Sequence, residues 1–170
     1  MINLKVPYLS QNDNANNPSG SCNVTSMAMV CKYLHPSRNF GKTDRGEQLE
    51  DFIYRDFLNK GLSRHNPHDM NEWFRINKVS SEFDGNASIE DIKAHIDRGN
   101  PVIIHGYLTA FGHIILVRGY DETGFFVNDP YGEYPYKNWE TGENKHYSFD
   151  LINKTCNVDG IWAHFPYKAD

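Results

Sequence analysis

Residues 112–129 read Gly112-His113-Ile114-Ile115-Leu116-Val117-Arg118-Gly119-Tyr120-Asp121-Glu122-Thr123-Gly124-Phe125-Phe126-Val127-Asn128-Asp129. Ile114 to Val117 is a short, mostly β-branched run bounded by turn residues, which predicts a strand. Asp121 to Gly124 carries a hairpin turn, and Phe125-Phe126-Val127 is its return strand. Asp129-Pro130-Tyr131-Gly132 is the next turn. Upstream, Val102-Ile103-Ile104 has the same character, and Gly160 to Phe165 predicts a last strand.

Further towards the N-terminus the apolar period lengthens to that of a helix. Val24, Met27, Ala28, Cys31 and Leu34 form one stripe over Cys22 to Leu34, with Ser21 as the expected N-cap. A second helix is expected from about Arg45 to Lys60, stopped by Gly61. A third starts at Asn66-Pro67, with Met70, Trp73 and Phe74 facing inward. A fourth starts at Ser88, with Asp91 three residues on as in a capping box, and stops at Gly99. Helices first and strands later predict an α+β fold with an antiparallel sheet rather than a doubly wound one.

At 170 residues the chain is expected to form a single domain over 1–170, large enough to bury a core without disulfides. No internal repeat or Pro/Gly/Ser-rich linker interrupts it. An aromatic share of 14% excludes a disordered chain. A net charge of −5 argues against a nucleic-acid partner, which needs a basic face. No apolar run is long enough for membrane insertion. Met1 to Pro7 carries no secretory signal, so synthesis in the cytoplasm is expected. Three Cys are too few for a disulfide scaffold and leave at least one free thiol.

Hydrolysis through a thiol requires a thiolate, a base, a group that orients the base, and donors for the oxyanion. Cys22 at a helix start would feel the positive end of the helix dipole, which favours a thiolate. The competing reading is a small buried hydrophobe. His113 opens a strand beside Gly112 and can face a cleft, and its competing reading is a structural His. Asp129 lies sixteen positions on, after the return strand, where its carboxylate can fix the imidazole tautomer. Asn128 is the competing orienter. Gln11, eleven positions before Cys22, can place an amide donor beside the Cys22 N–H.

Taken together, the order and spacing of these residues resemble the papain-like cysteine peptidases, and more narrowly the bacteriocin-leader-peptidase-like branch, family thirty-nine. The matching text is Val-Pro-Tyr-Leu-Ser-Gln at 6–11, Cys-Asn-Val-Thr-Ser-Met-Ala-Met-Val at 22–30 and Gly-Asn-Pro-Val-Ile-Ile at 99–104. It continues with Gly-His-Ile-Ile-Leu-Val-Arg-Gly-Tyr at 112–120 and Val-Asn-Asp-Pro-Tyr-Gly at 127–132. The resemblance implies N-terminal helices packed on a C-terminal antiparallel sheet. It implies Cys22 as nucleophile, His113 as base and then acid, Asp129 as orienter and Gln11 as oxyanion donor. Many members carry Gly-Pro after the Cys, where this chain has Asn23-Val24. The segment 62–69, Leu-Ser-Arg-His-Asn-Pro-His-Asp, is similar to a subset found in phage lysis proteins and cell-wall enzymes. That similarity implies peptidoglycan stem peptides or crosslinks as substrate, with action at the bacterial wall. The alternatives are a protein or leader-peptide substrate, transfer of the acyl group to an amine, and a non-catalytic binding module. A monomer is expected, without metal or organic cofactor.

Other features are read as structural. His65, His68 and Asp69 lack further metal ligands and read as a helix start. Asn12, Asn14 and Asn16 alternate as in a calcium loop but lack its Gly and its terminal Glu. His105 reads as a core His bonded to backbone, Cys31 as core, and Cys156 as a loop or strand-edge residue. Tyr131, Tyr134, Tyr136, Trp139 and Trp162 are divided evenly between lining a cleft and packing.

Overall fold

The apolar runs decide the architecture. In the computed structural model, which describes residues 1–42, 46–137 and 140–169, Ile103, Ile114 and Leu116 join one core cluster while Val102, Ile104, Ile115 and Val117 join another. Side chains alternate across a strand. An uninterrupted apolar run therefore means a sheet buried on both faces.

The strands are β1 (Ile2–Asn3), β2 (Ser80–Ala87), β3 (Val102–Gly106), β4 (His113–Tyr120), β5 (Gly124–Asn128), β6 (Lys145–Ser148) and β7 (Ile161–Tyr167). The helices are α1 (Cys22–Leu34), α2 (Leu49–Lys60), α3 (Pro67–Ile76), α4 (Ile89–Asp97) and α5 (Phe149–Cys156), with 3-10 turns at Gln11–Asp13 and Pro18–Gly20. The sheet runs β2-β7-β3-β4-β5-β6, with β1 added against the end of β4, and every pairing is antiparallel. Helices α1 to α3 cover one face through Met27, Ile53, Phe57, Trp73 and Phe74. Helices α4 and α5 cover the other through Ile92, Ile96, Ile152 and Cys156. The expected α+β fold is therefore present, with helices on both sides of the sheet. Every residue of α1 from Val24 to Cys31 is fully buried, and Cys22, at the N-terminal end of the helix, is only partly so.

The expected punctuation is mostly present. Asn66 accepts the His68 N–H, Ser88 and Asp91 form a capping box, and Gly61 stops α2 at φ +69°. Ser21 is a correction. It makes no side-chain cap on α1, and its hydroxyl instead donates to the carbonyls of Asn16 and Asn17, at 2.9 and 2.6 Å. Strand β2 was not expected in the helical half, nor α5 in the strand half. β2 is a polar edge strand that exists through its pairing with β7, and only Ala87 of it is buried. Cys156, expected in a loop or strand edge, is the last residue of α5. The second helix starts at Leu49 rather than near Arg45, with residues 46–48 non-helical; Arg45 itself and Trp139 lie outside the described residues.

Glu50, in the first turn of α2, is 1% exposed, and neither carboxylate oxygen has a hydrogen-bond partner among the described residues. Burial raises its pKa to about 7. The folded chain thus binds this proton more tightly than the unfolded chain. The associated stability is complete below the ordinary value of 4.5 and is lost as pH rises through about 7. Glu50→Gln is expected to raise Tm by roughly 3–8 °C above neutral pH and to change little in acid, measured by thermal unfolding across pH.

Candidate active site

Cys22 is placed by a tightly held entry segment. The Asp51 carboxylate accepts the N–H groups of Ala15 and Asn16, at 3.2 and 3.1 Å. Arg64 donates to the Gly20 carbonyl at 2.6 Å while its guanidinium lies 4.4 Å from the centre of the Tyr54 ring. Thr25 donates to the Ser21 carbonyl at 2.7 Å and accepts from Asn14 at 2.9 Å. The chain thus enters α1 with Cys22 in the first turn, where the helix dipole favours negative charge. Asn23, which with Val24 stands where many members carry Gly-Pro, donates to the Arg64 carbonyl at 2.9 Å and so ties the α2–α3 loop beside Cys22.

His113 opens β4, opposite Gly106 of β3. Its Nε2 lies 2.7 Å from Oδ1 of Asp129, one residue beyond β5, and the Cys22 side chain lines the same cleft as the ring and favours its charged form. With Nε2 on Asp129, Nδ1 is the nitrogen left for the thiol. The ring is 6% exposed and Asp129 is fully buried. Burial opposes a charge on His113, but the bond to Asp129 and the influence of Cys22 outweigh it and hold the imidazolium well above the ordinary histidine range. Asn128 faces elsewhere. Its Oδ1 accepts from Arg118 at 3.1 Å and from the Asn144 N–H at 3.0 Å, and its amide donates to the Val6 carbonyl at 3.2 Å. Asp129, not Asn128, therefore meets the imidazole.

Asp129 is satisfied on every side. Its Oδ1 also accepts the Tyr131 N–H at 3.0 Å, and its Oδ2 accepts the hydroxyls of Tyr136 and Tyr147, each at 2.7 Å. The two tyrosines went unforeseen as Asp129 partners. Tyr136 was among the aromatics divided between cleft and packing, and nothing local marked Tyr147, in Lys145-His146-Tyr147-Ser148.

Gln11 lies in the first 3-10 turn and is 1% exposed. Its backbone N–H donates to the Pro130 carbonyl at 2.8 Å, which ties it to the Asp129 turn. Its side-chain nitrogen donates to the Pro18 carbonyl at 2.9 Å, and a primary amide carries a second hydrogen. Gln11, Cys22 and His113 line one cleft of about 1010 Å³. Its lining is polar at Ser19, Asn23, Arg64 and His65 and includes the exposed side chains of Tyr107, Phe111, Val158 and Trp162.

His105 corrects its expectation. It lines the cleft, and its Nε2 meets His164 Nε2 at 2.8 Å rather than backbone. Burial lowers it to about 4, so it stays neutral at ordinary pH. Cys156 lies at the cleft floor beneath Gly106, where any side chain at 106 would collide with its sulfur. Burial pushes the Cys156 thiol up to about 11 and raises Cys31 further. Trp162 lines the cleft, and Tyr134 packs with the second core cluster. No group of three His, Cys, Asp or Glu among the described residues converges on a metal position. Asp69 accepts the Ser63 N–H at 2.8 Å and His68 packs edge-on to Phe83. The amides of Asn12, Asn14 and Asn16 go to Tyr131, Thr25 and Asp51. No helix among the described residues is long and apolar enough to cross a membrane.

No curated protein matches the chain. Two solved structures are similar over almost their whole lengths. One is a double-glycine-motif protease from an AMS/PCAT transporter, in complex with the leader peptide. It has 18% identity and a TM-score of 0.58, with 97% of this chain and 94% of that one covered. The other is a C39-like peptidase from Bacillus anthracis, with 15% identity and a TM-score of 0.57, covering 99% and 98%. At these identities the likeness is one of fold, and the fold is the papain-like one expected. The model of the Peptidase_C39 like family matches residues 3–156, and the chain belongs to that family.

Proposed function

We propose that the chain is a cysteine hydrolase that cleaves a peptide bond through Cys22, His113 and Asp129. The observation that carries the reading is the buried His113, bonded to Asp129 and lining one open cleft with Cys22 and Gln11. The Cys22 sulfur attacks the carbonyl carbon, and the C=O electrons move onto oxygen. The Cys22 N–H and the free Gln11 hydrogen stabilise that oxyanion. The His113 imidazolium gives its proton to the leaving amine as the C–N bond breaks, and the neutral imidazole then activates water to release the acyl group.

For the substrate, peptidoglycan stem peptides or crosslinks are proposed first. Their support is the resemblance of 62–69 to cell-wall enzymes, since Arg64 and His65 of that segment line the cleft. The second reading is an extended protein or leader peptide. The leader-peptide complex of the double-glycine-motif protease favours it.

The test is incubation of wild type and Cys22→Ala with purified sacculi, with released fragments read by mass spectrometry. Release of stem-peptide fragments by wild type alone is expected. No release, with Cys22 still selectively alkylated, moves the substrate to protein. A Cys22 no more reactive than Cys31 and Cys156 leaves a non-catalytic binding module. In the same assay Gln11→Ala is expected to lower the rate by roughly 10²–10³, as for loss of one oxyanion donor.

A further inference from the structure

Asp129 has no exposed surface, and a carboxylate that leaves water must be met by donors or take up a proton. Two neutral hydroxyls, from Tyr136 and Tyr147, meet on its Oδ2, the oxygen that His113 does not use. Tyr136 lies on the loop after the Asp129 turn, and Tyr147 on β6, so two separate elements converge on one atom. Tyr136 also has a left-handed backbone, φ +67°, which is uncommon for a bulky residue, and its ring stands edge-on to His113 at 5.8 Å. Tyr131 packs on the other rings at 4.9 Å from Tyr136 and 5.9 Å from His113, which walls the His113–Asp129 contact with aromatic surface.

We propose that Tyr136 and Tyr147 are positioning residues that hold the Asp129 carboxylate ionised and aimed at His113, and so set the pH range over which Cys22 is reactive. The inference rests on the proposed Cys22–His113–Asp129 reading. The chain of effects is direct. Without a hydroxyl donor, Asp129 takes up a proton more readily and presents less negative charge to the ring. The imidazolium then loses stabilisation, and the Cys22 thiolate forms only at higher pH. Burial and the Asp129 charge raise both phenols far above their ordinary range, so they remain donors wherever the site works.

Tyr136→Phe is the cleaner variant, because Tyr147 also accepts the Tyr134 N–H at 2.8 Å. Iodoacetamide alkylation of Cys22, read by peptide mass spectrometry across the acid-to-neutral range, tests the proposal in wild type, Tyr136→Phe, Tyr147→Phe and the double variant. The midpoint of the alkylation profile is expected to rise by about 0.5–1 pH unit in each single variant and further in the double, with the plateau rate within about twofold. Thermal unfolding checks the fold of each, and if the double variant fails to fold, Tyr136→Phe decides. Profiles that superpose on wild type, whatever the change in Tm, overturn the proposal while leaving the triad intact. A wild-type Cys22 that titrates as an ordinary thiol, near ~8.5, overturns the triad and this inference with it.

Discussion

Cys22→Ala is expected to abolish hydrolysis, by about 10⁴-fold or more, and to leave the chain folded. In the proposed mechanism the sulfur is the atom that bonds the acyl group, so no other group in the cleft would substitute for it. Cys156 lines the same cleft, but burial holds its thiol at about 11, and its sulfur packs closely against Gly106. Cys31 is fully buried in α1. Members of a cooperating triad are not additive, so His113→Ala is expected to cost nearly as much as Cys22→Ala, and the double variant little more. Cys22 is only partly buried, and a smaller side chain at a helix start leaves no large cavity, so Tm is expected to stay within a few degrees. Fragment release from the substrate and a thermal melt decide it together. Near-wild-type turnover by a folded Cys22→Ala would remove Cys22 from the chemistry.

Asp129→Ala is expected to damage both activity and stability. The substitution leaves the Tyr131 N–H, the Tyr136 and Tyr147 hydroxyls, and the His113 Nε2 without their common acceptor. Breaking a buried, hydrogen-bonded charge pair costs about 3–5 kcal/mol, which at this size is a fall in Tm of roughly 6–20 °C. Loss of the group that orients the base lowers kcat by about 10⁴ in the comparable serine triad. Asp129→Asn keeps the shape and one acceptor and so separates the two effects: stability is expected to recover largely, while the pH profile of activity stays narrowed. Asn128→Ala is the control. It strips partners from Arg118 and from the Val6 segment, so stability falls, but it touches no atom of His113. If Asn128→Ala cost more turnover than Asp129→Ala when both are folded, the orienter would have to be reassigned.

How much of this was legible is clearest at individual residues. Asn66, Ser88 and Gly61 announced helix ends because capping is decided within four residues of chain. Ser21 misled for the opposite reason. Its hydroxyl is drawn back to Asn16 and Asn17 by an entry turn that Asp51 and Arg64, distant in the chain, hold in place. β2 carries no alternation to read, since an edge strand buries little and is defined by its partner. His105 sits in an apolar run and looked like core, because whether a strand residue faces a helix or a cleft depends on where the covering helix ends.

By itself the sequence determined what is local or periodic. That includes the helical stripe of α1, the two-faced runs of β3 and β4, the hairpin at 121–124, and the order Gln11, Cys22, His113, Asp129 that carried the family resemblance. Only the tertiary structure decided which groups touch. It turned Asp129 rather than its neighbour Asn128 onto His113, brought Tyr136 and Tyr147 to the far oxygen of Asp129, and lined the cleft with His105 and Cys156. Adjacent residues at the end of a strand face opposite ways, and partners many positions apart meet only once the sheet and its covering helices have packed. Contact chemistry is written in that packing, not in spacing along the chain.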